Sequence, residues 1–416
     1  MNMHKSLENP FTELALLKKE DNSKIKFIYT IGDEIVLAIS ENGRLSVFKL
    51  RFPSDCISEW FTNFNIKDCR VIVLNADMFK DYDTCAYVYV VCQEDLSNKT
   101  EIIYFEVGCN GALSKIGSVE KSHRDMHLAI CDKSAARCIA YSSEAIFRLP
   151  LPSTNDYEEK HFEWIIQGCV LTDYIYVLQC KKEGLEIKRF CFNNKIESDR
   201  SKVTTIQNVQ KISNIFIVSK TEFVVHFCDE KLYLVNTFHN TCKLVSRCER
   251  PILFLHNFEL SNEQCVFYAT KSSIGILDRH YHKECSHEFK KNILAVCLVN
   301  GFTDATVFAV SSDDNHKITF WRVQKKTSLL KFRVMKYFEN IANLCCHNDK
   351  ITTIVNAPGT DKKFGLITGD SNGSILHWRN TEEMLAQEYD SLSGKLKISE
   401  DDVESHIKYI EDSDSH

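Results

Sequence analysis

Hydrophobic and polar residues alternate along this chain in short runs that are rich in Val, Ile, Phe, Tyr and Thr, and polar turns separate the runs. A period of two residues places successive side chains on opposite faces of an extended strand, whereas an amphipathic helix needs a period of about 3.6. The alternation continues to about residue 380. It therefore predicts an all-β protein built from many short strands.

The runs come in pairs, in which an apolar strand, a short polar turn and a more amphipathic strand follow one another. A further apolar strand precedes most pairs, as in Ile252–Phe258 and Asn292–Val299, and a more polar strand often follows, as in Lys243–Cys248 and Ser328–Val334. Eight hairpins are predicted: Glu34–Ser40 with Gly43–Leu50, Ala86–Cys92 with Glu101–Val107, Arg137–Ser142 with Ala145–Leu149, Tyr174–Cys180 with Leu185–Cys191, Glu222–Cys228 with Lys231–Thr237, Gln264–Thr270 with Ile274–Arg279, Thr306–Ser311 with Lys317–Val323, and Phe364–Thr368 with Ser374–Arg379.

The second strands of these hairpins begin 40 to 58 residues apart, and most intervals lie between 40 and 46 residues. A repeat of roughly 40–45 residues with four strands is typical of a WD40-type β-propeller, in which each repeat forms one blade. Eight hairpins favour eight blades over the commoner seven. If one hairpin is an insertion, Arg137–Leu149 is the candidate, because its strands are the shortest.

The two ends of the repeat region predict how the ring closes. After Trp378 the chain becomes acidic and helical in pattern, so the last blade lacks an outer strand, whereas Phe11–Lys19 is a strand-like segment without a blade of its own. We expect residues 11–19 to pair with Ser374–Arg379, because an open ring would expose strand edges. The chain is then one propeller over residues 1–380, followed by a short helix and a disordered acidic tail over 381–416.

Two C-terminal repeats contain a recurring set of four polar and aromatic residues. One repeat offers His287, Ser312, Asp314 and Trp321, and the other offers His347, Thr368, Asp370 and Trp378. These sets resemble the structural tetrad of the WD40-repeat family, which has a His before the innermost strand, a hydroxyl on the second strand, an Asp in the next turn and a Trp on the third strand. A buried imidazole needs partners for both ring nitrogens, and an Asp with a hydroxyl supplies them.

The resemblance is specific in these two repeats and architectural in the other six, which keep only the hydrophobic pattern. The Asp that follows the Trp in the family is replaced by Arg322 in one repeat and by Arg379 in the other. The resemblance implies a WD40-like propeller and, by analogy of fold, a non-catalytic scaffold subunit that mediates protein–protein interactions in an intracellular complex. It identifies no subfamily.

The segment Trp321–Phe338 leaves a second function open. It carries six cations and no acid, with aromatic residues interleaved: Arg322, Lys325, Lys326, Lys331, Arg333 and Lys336. Such a stripe can contact phosphates. The alternative function is therefore an RNA-contacting accessory subunit of an RNA-modifying enzyme such as a tRNA methyltransferase. A solvated outer strand, or an anchor for an acidic partner, explains the same charges.

The remaining candidate chemistry favours neither an enzyme nor a metal site. The group His280, His282, Cys285 and His287 lies on one short hairpin, and four zinc ligands must converge from separated positions. Cys345, Cys346 and His347 are adjacent, but a reactive thiol needs an electropositive site, and such cysteines more often serve packing. The chain lacks a glycine-rich phosphate loop, a Gly-x-Ser-x-Gly elbow and a His-Glu-x-x-His motif. We expect no catalytic residue, metal or cofactor.

Composition adds limits on location and partners. The net charge of −6 over 416 residues argues against a globally basic nucleic-acid binder. Without a signal peptide or a membrane-spanning run, we expect a cytoplasmic or nuclear protein that is neither secreted nor membrane-inserted, with 18 reduced cysteines. Seven acids lie within residues 400–416, and Ser399 precedes three of them. Ser399 is a possible phosphorylation site, although a tail that only aids solubility is the simpler interpretation.

Overall fold

A computed structural model shows the fold of the chain. It describes residues 13–18, 22–32, 34–50, 56–62, 64–74, 84–93, 99–121, 125–131, 137–149, 158–182, 184–192, 196–207, 209, 211–248, 250–299, 306–313, 316–328, 333–345, 347–357 and 364–380. All 33 regular elements in these ranges are β-strands. Within the same ranges, no helix has the length and hydropathy needed to cross a membrane. The all-β prediction is confirmed.

The strands form eight separate sheets, which are the blades, and each sheet contains a run of antiparallel strands that are neighbours along the chain. Strand β1 (Glu13–Lys18) precedes the first blade. Blade 1 consists of β2 (Ile25–Ile31), β3 (Ile35–Ser40), β4 (Arg44–Lys49) and β5 (Cys56–Phe61), and blade 2 of β6 (Asn65–Val73), β7 (Thr84–Gln93), β8 (Thr100–Gly108) and β9 (Leu113–Lys121). Blade 3 consists of β10 (His127–Leu128), β12 (Ile139–Tyr141), β13 (Ala145–Arg148) and β14 (Glu158–His161), and blade 4 of β11 (Ile130–Cys131), β15 (Ile166–Leu171), β16 (Ile175–Lys181), β17 (Gly184–Phe192) and β18 (Ile196–Gln207).

The second half of the ring has the same plan. Blade 5 consists of β19 (Ile212–Ser219), β20 (Glu222–Phe227), β21 (Lys231–Asn236) and β22 (Thr241–Arg247), and blade 6 of β23 (Ile252–Leu260), β24 (Glu263–Thr270), β25 (Ser273–Asp278) and β26 (Lys283–Glu288). Blade 7 consists of β27 (Ile293–Val299), β28 (Thr306–Ser312), β29 (Lys317–Ser328) and β30 (Arg333–Cys345). Blade 8 consists of β31 (Ile351–Asn356), β32 (Phe364–Asp370) and β33 (Ile375–Asn380), and β1 completes it.

Each predicted hairpin forms the two middle strands of one blade, so the ring has eight blades. The hairpin Arg137–Leu149 is therefore a blade and not an insertion. Its blade is irregular because the innermost strand divides: β10 pairs with β12, and β11 then crosses to pair in parallel with β15 of the next blade. The expectation of an outer strand at Ser328–Val334 was wrong, since β29 ends and β30 begins within that range.

The hydrophobic core lies between the blades. Eight buried clusters occupy the eight junctions between successive blades, including the junction of blade 8 with blade 1. At that last junction Ile25 and Val36 of blade 1 pack with Ile367 and Ile375 of blade 8. Every blade thus buries apolar side chains on both faces, which explains why the middle strands are almost continuously apolar.

A repeated local feature starts the innermost strand of seven blades. An isoleucine pairs with the end of the second strand, and the ladder is then interrupted by a β-bulge; these isoleucines are Ile25, Ile66, Ile166, Ile212, Ile252, Ile293 and Ile351. A bulge leaves one residue out of the ladder, so its side chain and the nearby backbone are available for contacts outside the blade.

Polar groups of the preceding blade bind the backbone near the start of each innermost strand. Around the ring, these bonds run from Lys26 Nζ to the Ile66 carbonyl (2.8 Å), Leu128 N–H to Asp68 Oδ2 (2.8 Å), Ile166 N–H to the Ser143 carbonyl (2.8 Å), Ile212 N–H to Gln167 Oε1 (2.9 Å), Asn214 Nδ2 to the Ile252 carbonyl, Ile293 N–H to the Lys271 carbonyl (2.6 Å), Ser311 Oγ to the Ile351 carbonyl (2.9 Å) and Thr352 Oγ1 to the Ile25 carbonyl (2.6 Å). All eight junctions therefore combine an apolar core with a hydrogen bond.

The predicted closure of the ring is confirmed. Strand β1 pairs antiparallel with β33, from Glu13 opposite Arg379 to Lys18 opposite Ile375, and is the outermost strand of blade 8. The Asn22 N–H also donates to the Asn372 carbonyl (3.0 Å). The last blade thus obtains its fourth strand from the start of the chain, which leaves β33 with a partner on each side.

Deletion of residues 1–20 tests this closure. The truncated chain loses the hydrogen-bonded partner of β33, so we expect aggregation, or a melting temperature lowered by roughly 5 °C or more. Differential scanning fluorimetry and size-exclusion chromatography measure both effects. The matched control removes residues 391–416 and should leave the melting temperature unchanged. If the N-terminal deletion is as stable and soluble as the full chain, β1 does not close the ring.

Candidate interaction surface

The four tetrad residues of blade 8 meet in one buried hydrogen-bond network. His347 lies just before β31, with Nδ1 2.9 Å from Asp370 Oδ2 and Nε2 2.7 Å from Thr368 Oγ1. The Trp378 indole donates to the same Thr368 hydroxyl oxygen at 2.8 Å. Asp370 also accepts the backbone N–H groups of Asn372 (3.0 Å) and Ser374 (2.8 Å) in the following turn.

This network determines the roles of the ring nitrogens of His347. In the neutral imidazole, Nδ1 carries the proton toward Asp370, because a carboxylate only accepts, and Nε2 then accepts the hydroxyl proton of Thr368. The Thr368 oxygen is then free to accept the indole N–H of Trp378. Both nitrogens of His347 are engaged in holding the blade, and neither is available as a general base.

The second predicted tetrad does not form. The tryptophans correspond, since Trp321 lies opposite Phe308 as Trp378 lies opposite Leu366. In that register Val310 takes the place of Thr368, because it lies two residues after Phe308. Ser312 instead pairs with Ile293 as Asp370 pairs with Ile351, so it takes the place of the acid. Asp314 lies outside the described residues.

His287 also has a different role from the one predicted. It lies on the outermost strand of blade 6, and its ring centroid is 4.3 Å from that of Trp321. Phe289, four residues before Ile293, occupies the place that His347 has before Ile351, and it packs against the same indole at 5.5 Å. Trp321 Nε1 donates to Thr319 Oγ1 (2.8 Å). Partial burial lowers the pKa of His287, as expected for an imidazole in an aromatic contact.

The basic segment proves to be part of a long hairpin with its own acids. Arg322 donates through Nε (3.0 Å) and Nη2 (2.6 Å) to Glu339 Oε2. Lys325 Nζ lies 2.9 Å from Glu263 Oε2. Lys326 is exposed, Lys331 lies outside the described residues, and only the backbone of Arg333 is described. Of the predicted cations with described side chains, Lys326 alone is without an ion pair to another described residue.

Lys336 is buried, and its ammonium lies between two carboxylates of blade 6. Nζ donates to Glu263 Oε1 (2.8 Å) and to Glu284 Oε2. Burial alone would lower the pKa of Lys336, but the hydrogen bonds to the two glutamates raise it above its usual value. Among the described residues, Glu263, Cys265 and Glu284 are the group with metal-ligand geometry, and the Lys336 ammonium supplies the positive charge there.

These contacts brace a part of the hairpin that extends past its own blade. Strand β28 pairs with β29 only as far as Val323, whereas the pairing of β29 with β30 continues to Ser328 and Arg333. We call the extension, Gln324–Ser328 with Arg333–Tyr337, the blade 7 ribbon. Lys325 and Lys336 lie opposite each other in the ribbon and are both held by Glu263 of blade 6.

The other face of the blade 7 ribbon is the candidate interaction surface. Opposite residues share a face, so Gln324 with Tyr337 and Lys326 with Met335 lie away from blade 6. Met335 is 51% exposed and Tyr337 is 38% exposed. The Tyr337 hydroxyl donates to Gln324 Oε1 at 2.9 Å, which orders the ring. The sequence interpretation ended the strand at Val323, because the residues from Gln324 to Ser328 are all polar and lack the apolar alternation that predicts a strand.

The other candidate groups do not converge on a site. His280 and His282 are exposed at the turn after β25, where Asp278 Oδ1 accepts both of their backbone N–H groups (2.7 and 2.9 Å). Cys285 and His287 lie farther along β26.

Burial raises the pKa of the Cys345 thiol, opposite to the change that activates a thiolate. Cys346 and Ser399 lie outside the described residues, and the 17 described cysteines are free thiols.

Alanine substitution separates the roles of the two histidines. We expect His347→Ala to lower the free energy of unfolding by about 1–3 kcal/mol, because Asp370 and Thr368 lose a buried partner. His287→Ala removes only a half-buried ring contact and should cost less than about 1 kcal/mol. Chemical denaturation followed by tryptophan fluorescence measures both. Equal losses for the two variants would contradict the assignment of a tetrad to blade 8 alone.

The Lys336 ion pairs predict a pH-dependent contribution to stability. Lys336→Ala should cost about 1–2 kcal/mol, less than a fully buried pair would, because the Glu263 side chain is 42% exposed. Hydrogen bonds from Lys325 and Lys336 lower the pKa of Glu263. Its contribution is therefore complete above its usual value of 4.5 and is lost as the pH falls through the lower, folded-state pKa.

Denaturation of the wild-type protein and of Lys336→Ala across pH checks this expectation. The stability difference should be constant near neutral pH and shrink as the medium becomes more acidic than pH 4.5. Lys326→Ala, which changes an exposed lysine on the same ribbon, is the matched control and should have almost no effect. A difference that stays the same at acidic pH would exclude the ion pairs as its cause.

Comparison with known proteins finds similar structures but no relative that matches in sequence. No family model and no curated protein matches the sequence. The chain is similar in structure to the WD40 β-propeller domain of Doa1 (9% identity, 89% of this chain and 97% of that chain, TM-score 0.49), to BamB from Moraxella catarrhalis (11%, 89% and 99%, TM-score 0.53) and to Chaetomium thermophilum Raptor (11%, 90% and 29%, TM-score 0.52). At such low identities these likenesses bear on the fold alone. The ring of eight sheets makes the fold of the chain an eight-bladed β-propeller, and BamB and Raptor, whose TM-scores exceed 0.5, are similar to it in fold.

Proposed function

We propose that this protein is a non-catalytic scaffold subunit of an intracellular multiprotein complex, in the cytoplasm or the nucleus. Propellers of this kind generally mediate protein–protein interactions, since a rigid ring presents loops and strand edges without chemistry of its own. The proposal rests mainly on the blade 7 ribbon. It extends beyond its blade, it is braced by Lys336, and it presents Met335 and Tyr337 to solvent.

The candidate catalytic and metal-binding side chains support the same proposal, because they form hydrogen bonds or ion pairs within the protein. His347 is engaged at both nitrogens, and the acids with metal-ligand geometry hold Lys336. An aromatic and a methionine side chain on a braced element are typical of the centre of a protein interface. The RNA-directed alternative receives less support, because Arg322, Lys325 and Lys336 already have carboxylate partners.

Affinity capture with the tagged full chain tests the proposal. We expect the double variant Met335→Glu, Tyr337→Ser to recover the co-purifying proteins at least about tenfold less efficiently than the wild type, as the loss of two interface side chains implies. The matched control, Ile165→Ser with Phe238→Ser, replaces two other exposed apolar residues and should keep full recovery.

Treatment with ribonuclease distinguishes the two functions. Under the scaffold proposal, recovery of the partner proteins is insensitive to ribonuclease. Capture of RNA that is lost at moderate salt and in Lys326→Glu would favour the RNA-contacting accessory function instead. Equal recovery by the ribbon variant and the wild type would exclude the ribbon as the binding surface.

A further inference from the structure

The position that follows the first isoleucine of each innermost strand differs in character around the ring. In blades 1, 4 and 8 this bulge residue is Lys26, Gln167 or Thr352, and its side chain bonds the backbone of the next blade. In blades 6 and 7 the residue is Leu253 or Leu294, which are 44% and 37% exposed. Two neighbouring blades thus present aliphatic side chains to solvent at a position where other blades place polar ones.

Three lysines lie directly beside these leucines. Ile252, next to Leu253, pairs with Thr270, which precedes Lys271. The Lys271 carbonyl accepts the N–H of Ile293, the residue before Leu294. Lys290 and Lys291 belong to the same connection, just before Ile293. The five residues thus lie on neighbouring segments at the start of the innermost strands of blades 6 and 7, and the side chains of Lys271, Lys290 and Lys291 are exposed. We call this set, with Leu253 and Leu294, the blade 6–7 patch.

Two described acids that flank the blade 6–7 patch, Glu288 and Asp313, are already paired. On one side Glu288 Oε2 lies 3.2 Å from Arg250 Nη1, and on the other side Asp313 Oδ1 lies 2.6 Å from Lys350 Nζ. Among the described residues, no carboxylate forms an ion pair with any of the three lysines of the patch. Three exposed cations that form no ion pair with a described carboxylate repel one another and attract an anionic partner.

The two leucines indicate whether the anionic partner is a protein or a nucleic acid. Single exposed leucines are common on protein surfaces, but here two neighbouring blades expose a leucine at the same position and carry lysines on the adjoining segments, and apolar groups rimmed by charge are typical of an interaction site. Single-stranded nucleic acid is usually bound through aromatic side chains that stack on bases, and aliphatic side chains provide no such platform. An anionic partner that also buries Leu253 and Leu294 must carry apolar side chains between its acids.

We propose that the blade 6–7 patch binds an acidic segment of a partner protein that carries aliphatic or aromatic side chains among its carboxylates. This proposal rests on the scaffold function above and specifies the chemistry of one partner. The patch lies at the end of blades 6 and 7 where β29 begins, whereas the blade 7 ribbon lies at the end where β29 finishes. The two surfaces can therefore be tested independently.

The test measures fluorescence anisotropy of labelled peptides with the full-length protein. The probe is a short peptide of glutamate, aspartate and leucine; one comparison peptide replaces leucine by serine, and another replaces the acids by lysine. We expect only the acidic peptide with leucine to bind well. Lys271→Glu, Lys290→Glu, Lys291→Glu together should weaken its binding at least about tenfold, and Leu253→Ser with Leu294→Ser at least about threefold.

The matched control reverses three other exposed lysines, Lys24→Glu, Lys67→Glu, Lys182→Glu, and should change the affinity by less than about twofold. Because all the altered side chains are exposed, the melting temperatures should equal that of the wild type. Binding of the serine peptide as tight as that of the leucine peptide would overturn the proposal, and so would equal losses in the control.

A labelled single-stranded RNA oligonucleotide serves as the competing ligand. RNA binding that the triple variant at the patch abolishes, without binding of the acidic peptide, would overturn the proposal in favour of a nucleic-acid site. If no peptide binds but affinity capture still depends on Met335 and Tyr337, the scaffold function stands and only the assignment of the patch is wrong.

Discussion

The start of each innermost strand is the point on which the ring depends. A bulge after the first isoleucine interrupts the ladder of seven blades, and the backbone near each start hydrogen-bonds to the preceding blade. The same junctions contain the hydrophobic clusters, so polar and apolar contacts act at the same places. Since no blade has a core of its own, the blades are stable only as a closed cycle, and the contact of β1 with β33 completes that cycle.

Two groups of polar residues that were candidates for chemistry hold the blades together. His347, Thr368 and Asp370 join a loop, a strand and a turn of blade 8 through bonds that use both imidazole nitrogens. Lys336 joins blade 7 to blade 6 at a group of acids and a thiol that resembles a metal site. In the low-dielectric junctions such groups must be paired, and the pairing removes them from contact with a substrate. The blade 7 ribbon and the blade 6–7 patch, at the two ends of these blades, are the surfaces that we propose for a partner.

Blades 6 and 7 present both candidate surfaces, one at each end of their strands. The blade 7 ribbon presents Met335 and Tyr337, and the blade 6–7 patch presents Leu253 and Leu294 among lysines. Their junction contains a face-to-face contact of Phe267 with Phe308 (3.6 Å between centroids) besides the Lys336 ion pairs. Both surfaces are thus carried by two blades that pack directly against each other.

The sequence by itself determined the features that depend on local pattern. Two-residue alternation predicted the eight hairpins, and a spare strand at one end with a missing strand at the other predicted the closure by β1, because period and strand number are properties of the chain. Tertiary structure decided the rest. Register placed Ser312 at the position of the acid and not of the hydroxyl, although its spacing from Trp321 resembles that of the true tetrad. The basic segment acquired its partners Glu263 and Glu284 from the neighbouring blade, far away along the chain, and only the packing of blade 6 against blade 7 brings those charges together.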